Sequence, residues 1–139
     1  MRPSATRVVV RAVGIDTLVA TVGYSYLNGN LDYDVPRQAA GHYVGTAEPG
    51  DKGNLVIGGH VSLRTGPAVF QALPGVKAGD VVEVYRGDQI YRYSVTEIRV
   101  VAADATSVMR PTQDATLTLI TCFPERNFQQ RLVVIAKLV

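Results

Sequence analysis

Three observations predict an all-β barrel or sandwich for this chain. Short runs rich in Val, Ile, Leu, Thr and Tyr recur along its length. Gly, Pro, Asn and Asp separate these runs, and many of them alternate apolar with polar at the two-residue period of a strand. Helical periodicity is almost absent. In chain order the runs predict strands near 6–13, 17–23, 42–45, 54–60, 80–87, 90–103, 115–122 and 131–138. The breakers between them include Asn28-Gly29-Asn30, Pro36, Pro49-Gly50-Asp51, Pro74-Gly75, Gly79-Asp80, Gly87-Asp88 and Pro111. Gly87-Asp88, set between two strong runs, predicts a tight hairpin. One helical turn is expected over 67–73, which opens on Pro67 and closes before Pro74-Gly75.

Composition narrows the class further. A chain of 139 residues is read as one domain over 1–139, large enough to bury a core without disulfides or metals. Hydrophobic residues at 47% and charged residues at 19% describe a filled globule and argue against disorder. A formal charge of +2 with no Lys/Arg run argues against nucleic acid, and the seven tyrosines are scattered rather than arranged as stacking platforms. No stretch approaches the ~20 apolar residues that span a bilayer, and the first ten residues do not form a signal peptide. The expectation is a soluble domain without a membrane anchor.

The chemistry centres on Cys122, the single cysteine, which ends the strand-like segment Thr116-Leu-Thr-Leu-Ile-Thr-Cys122. One cysteine excludes an internal disulfide, and a thiol with a histidine elsewhere in the chain fits a nucleophile and its proton partner. Thiols near pKa ~8.5 are mostly protonated at neutral pH, so such a nucleophile needs a group to share its proton. His60 suits that role, because it follows Leu55-Val-Ile-Gly-Gly, a buried strand whose two glycines let backbone and substrate approach closely. Arg131, at the start of the last apolar run, would supply a fixed donor for an oxyanion. By strand alternation Leu117 and Leu119 share one face, and Thr116, Thr118, Ile120 and Cys122 the other. Leu132, Val134, Ala136 and Leu138 likewise oppose Arg131, Val133, Ile135 and Lys137. With the Leu faces in the core, Cys122 and Arg131 belong to an outer face across an antiparallel pair. Read from these residues alone, a buried free cysteine, a structural histidine and a solvated arginine remain the plainer alternative to a cysteine–histidine acyl-transfer enzyme.

Three stretches, in order, resemble the sortase family of transpeptidases. The first is Ala40-Gly-His-Tyr-Val-Gly-Thr-Ala-Glu-Pro-Gly-Asp-Lys-Gly-Asn-Leu-Val-Ile-Gly-Gly-His60. The second is Ala68-Val-Phe-Gln-Ala-Leu with Gly79-Asp-Val-Val-Glu-Val-Tyr-Arg. The third is Leu117-Thr-Leu-Ile-Thr-Cys122 with Arg131-Leu-Val-Val-Ile-Ala. The resemblance covers about residues 6 to 139 and implies an eight-stranded sortase-type β-barrel with a short helix. It implies a cysteine transpeptidase that cleaves Leu-Pro-x-Thr-Gly-like (LPXTG) sorting signals after Thr through a thioacyl-enzyme. The acyl group then passes to an amine acceptor on cell wall or pilin, outside the membrane of a Gram-positive-like bacterium. Carried over by position, Cys122 is the nucleophile, His60 the acid and base, and Arg131 the oxyanion or substrate-backbone donor, while Thr121 positions the substrate. A pair that shares protons in this way predicts a bell-shaped rate profile.

His42 is expected to be a supporting wall residue. No metal or cofactor is expected: calcium through Glu48, Asp51 and Asp114 has only scattered carboxylates behind it. The compact loops resemble class D or class E enzymes. Two other readings stay open, a cysteine peptidase that only hydrolyses its thioacyl intermediate and a non-catalytic β-barrel peptide-binding module. An L,D-transpeptidase is disfavoured, because the chain lacks a Ser-His-Gly-Cys neighbourhood.

Overall fold

The computed structural model describes residues 4–27, 30–33, 35–36, 38–60, 68–102, 106–122 and 130–139. Ten strands run in chain order: β1 (Arg7–Val10), β2 (Ile15–Val22), β3 (Tyr24–Leu27), β4 (Asn30–Tyr33) and β5 (Ala40–Tyr43), then β6 (Gly53–His60), β7 (Val81–Arg86), β8 (Gln89–Ala102), β9 (Ala115–Cys122) and β10 (Gln130–Leu138). Eight of them close into a barrel in the order β1-β2-β5-β6-β9-β10-β8-β7, and β3 and β4 form a separate hairpin. Two neighbouring pairs, β2 with β5 and β6 with β9, are parallel, and the other described pairs are antiparallel.

The eight barrel strands fall on the eight predicted runs, because each alternating run has one face to bury. Leu55, Ile57, Leu117, Leu119, Val134 and Ala136 join Val8, Val10, Val82, Val84 and Tyr93 in the interior core. A second apolar cluster lies on the other face of β6, β9 and β10, where Val56, Ile120 and Val133 are buried with Val22 and Tyr43. Strands covered on both faces lose their polar alternation. Every residue of β6 from Asn54 to His60 is accordingly buried.

Two local expectations change. The run predicted as 6–13 stops at Val10, and Arg11–Val13 form a 3-10 turn that ends on Gly14 at φ +73°. The helical turn expected over 67–73 is a turn at 69–72 followed by a 3-10 segment, Leu73–Gly75. Its hydrogen-bonded stretch is too short to offset the cost of helix nucleation, and Pro74 supplies no N–H to extend it. Pro67 lies outside the described residues.

Candidate active site

Strands β6 and β9 run parallel and in step, Gly58 with Ile120, Gly59 with Thr121 and His60 with Cys122. Both strands therefore end at the same rim of the barrel, and their last residues are neighbours about 5 Å apart along the backbone. Sixty-one residues of chain separate this histidine from the cysteine register position, and the parallel pairing removes that separation.

His60 is held at its carbonyl and at its ring. Its carbonyl accepts the Phe70 N–H at 2.9 Å, which ties the 69–72 turn to the strand end. Its Nε2 lies 3.3 Å from the carbonyl oxygen of Val35. The residue is only 4% exposed, and its Nδ1 is buried with no hydrogen-bond partner among the described residues. An open lone pair in a buried ring is costly unless something uses it.

The two glycines before His60 do a different job from the one expected of them. A Cβ on Gly58 would sit 2.3 Å from the Tyr43 hydroxyl, and one on Gly59 would sit 2.6 Å from the Phe70 ring. The space they open is filled by the protein's own aromatic rings, one on each face of β6. Glycine here gives room for packing; both backbones are ordinary strand.

The antiparallel β9–β10 ladder pairs Ile120 with Val133. Continued by two residues, the same register sets Cys122 opposite Arg131. The step between is made by a side chain: the Thr121 hydroxyl accepts the Leu132 N–H at 2.9 Å and lies 3.4 Å from the Leu132 carbonyl. Thr121 is fully buried, so its hydroxyl joins two strands at the rim. Arg131 pairs with Val101 of β8 and is partly exposed. Its Nη1 lies 3.5 Å from the Gln130 carbonyl. Three of the expected residues, His60, Thr121 and Arg131, thus share the rim at which Cys122 ends its strand.

Beside this rim lies the outer apolar cluster, in which Val56, Ile120 and Val133 are covered by the partly buried Val35, Val108 and Met109. Sequence reasoning placed Cys122 and Arg131 on this outer face without naming what packs on it. The wall from 106–109 is pinned by Asn54, whose Nδ2 donates to the carbonyls of Val108 (2.9 Å) and Arg110 (3.1 Å). Thr118 donates to the Asn54 Oδ1 at 2.6 Å. A buried asparagine at the start of a mostly apolar strand was the available signal.

His42 is buried away from the rim. Its Nδ1 accepts the Ala5 N–H at 3.3 Å and its Nε2 lies 3.0 Å from the Ala47 carbonyl, so both nitrogens are occupied. Burial pushes its imidazole below the ordinary range, with the Glu48 carboxylate opposing. The three candidate calcium carboxylates have separate surroundings. Asp114 pairs with Lys137 at 3.1 Å, Asp51 lies 4.0 Å from Arg86, and one Glu48 oxygen is buried without a hydrogen-bond partner among the described residues. Among the described residues no group of three His, Cys, Asp or Glu side chains is placed to hold a metal ion.

A closed mixed barrel whose two parallel strand ends carry histidine and cysteine defines a narrow class of protein. The sequence profile of the Sortase domain matches residues 7–139. Sortase A of Listeria monocytogenes is 33% identical over 87 residues, which are 63% of this chain and 39% of that protein. Among solved structures, sortase A from Corynebacterium diphtheriae (a lid mutant) superposes with a TM-score of 0.80 at 26% identity, covering 100% of this chain and 72% of that one. A Clostridium perfringens sortase D5 transpeptidase gives a TM-score of 0.75 at 26% identity, covering 99% and 79%. The chain belongs to the sortase family, a family of cysteine transpeptidases at the cell surface. The match to the Listeria protein spans about two fifths of that relative's length.

Proposed function

We propose that this chain is the catalytic barrel of a transpeptidase that cleaves an LPXTG-like sorting signal after Thr and joins it to an amine. The observation that carries this reading is the register pairing of His60 with Cys122 at one rim. The Cys122 thiolate attacks the threonine carbonyl and forms the carbon–sulfur bond, and the carbonyl becomes an oxyanion that Arg131 steadies. As the carbon–nitrogen bond breaks, His60 gives its proton to the departing amine, leaving a thioacyl-enzyme. The acceptor amine then attacks the thioester, His60 takes up its proton, and the thiolate departs. Thr121 orders the strand ends against which the substrate backbone lies. The partly buried Val35, Val101, Val108 and Met109 over the outer cluster are the apolar side chains that would meet the Leu-Pro end of such a signal. No helix among the described residues is long and apolar enough to cross a membrane. The reading places the barrel outside the cell, on sorting-signal proteins and a cell-wall or pilin amine.

The test is product analysis of Leu-Pro-x-Thr-Gly peptides incubated with the protein and a glycine amine. The expected product is ligated peptide. Hydrolysed acid alone would mark a peptidase, and unchanged peptide would mark a binding module; either result overturns the proposal.

A further inference from the structure

We propose that the main-chain carbonyl of Val35 is a positioning group for His60: it takes the Nε2 proton, fixes the neutral ring as the Nε2–H tautomer, and leaves Nδ1 to exchange the proton in acyl transfer. This rests on the transpeptidase reading above for its purpose, and on the geometry for its substance. A carbonyl oxygen only accepts, so a bond at 3.3 Å to Val35 requires hydrogen on Nε2. The opposite tautomer would turn the Nε2 lone pair against the carbonyl lone pairs and leave a buried N–H at Nδ1 with no acceptor among the described residues. Both losses fall on the same tautomer. When the ring gains its second proton, the Nε2–H bond to Val35 persists, so one contact holds the ring plane in both protonation states.

The second histidine supplies the comparison. His42 has the same arrangement at Nε2, with the Ala47 carbonyl 3.0 Å away, but its Nδ1 is capped by the Ala5 N–H. Both rings are buried. One has both nitrogens in use and is structural; the other keeps one buried nitrogen without a partner among the described residues, at the rim that Cys122 shares.

Val35 reaches this place from the β3–β4 hairpin, which leaves the barrel after Val22 and returns before β5. The Val35 side chain packs on the outer apolar cluster. Pro36 lies over Gly41, where a Cβ would sit 3.6 Å from the Pro36 Cδ and 2.8 Å from a Val22 methyl. Proline fixes the backbone angle that follows Val35, so the carbonyl is aimed by a stiff dipeptide set on a packed surface.

The experiment is a long-range 1H–15N correlation spectrum of the 15N-histidine-labelled protein, at a pH where both rings are neutral, with His42→Gln to assign the signals. The expected spectrum shows protonated Nε2 and bare Nδ1 for His60. A protonated Nδ1, or averaged shifts from two tautomers, would overturn the proposal. A second comparison sets Pro36→Ala beside the same protein with lactic acid at position 36, whose ester makes the Val35 carbonyl a weaker acceptor. The ester should mix the tautomers and slow acylation about three- to tenfold relative to Pro36→Ala; equal tautomer populations in the two would overturn it. The tautomer reads the role of Val35 whether or not an acyl-enzyme forms, so its failure is distinct from failure of the transpeptidase reading.

Discussion

His42 and His60 differ at one atom, and that atom decides what each contributes. Capped at Nδ1 by the Ala5 amide, His42 is a buried neutral ring whose imidazole burial holds below its ordinary range. In the unfolded chain the same imidazole takes a proton below about pH 6.5. Between that value and the lower folded one, the unfolded state binds more protons, so stability is fully present above about pH 6.5 and declines as pH falls. The slope is at most about 1.4 kcal/mol per pH unit from this group. His42→Gln should flatten the difference between thermal midpoints at pH 7.5 and 5.5; an unchanged difference would remove His42 from the account. His60, whose Nδ1 has no partner among the described residues, is the ring the proposed reaction uses. His60→Ala should lower acyl transfer by about 10²–10⁴-fold, and the rate of the unaltered protein should be bell-shaped in pH. A rate flat from about pH 5 to 10 contradicts a proton-sharing pair.

At the scale of elements, side chains set inside strands control the rim. Asn54 holds the 106–110 segment through two carbonyls and takes a third bond from Thr118. Asn54→Ala should cost about 2 kcal/mol and speed amide exchange chiefly in 106–112, measured by hydrogen–deuterium exchange. Gly59→Ala should cost about 1–3 kcal/mol in a urea titration, because the Phe70 ring occupies the space of the new methyl. The eight barrel strands were legible because each is an alternating or doubly buried run bounded by breakers. The segment 115–122 was read to its ends, since Leu117 and Leu119 mark one face without ambiguity. The β3–β4 hairpin lies outside the eight predicted strands, where Asn28-Gly29-Asn30 marks only a breaker. An Asn-Gly between Tyr24-Ser-Tyr-Leu27 and Asn30-Leu-Asp-Tyr33 is itself a strong hairpin signal. The role of Val35 left no trace in the sequence, because every residue has a carbonyl and only the fold aims one.

On the whole-molecule scale, function depends on closure of the barrel. The alternation in β6 and β9 shows which faces are apolar, but nothing local states that these strands pair in parallel. Parallel pairing of distant segments is a property of the complete strand order. For that reason the site residues were legible together only through their resemblance to a known family, and Cys122 and Arg131 alone followed from a simple antiparallel turn-back. Closure brings three segments to one rim: His60, the end of β9 at Cys122, and Arg131 at the start of β10. The most direct measurement of that convergence is the intact mass of the protein after mixing with a Leu-Pro-x-Thr-Gly peptide. The account predicts a gain equal to the acyl fragment ending in threonine, absent in Cys122→Ala and strongly reduced in His60→Ala. An unchanged mass in the unaltered protein, or the same gain in Cys122→Ala, would contradict it.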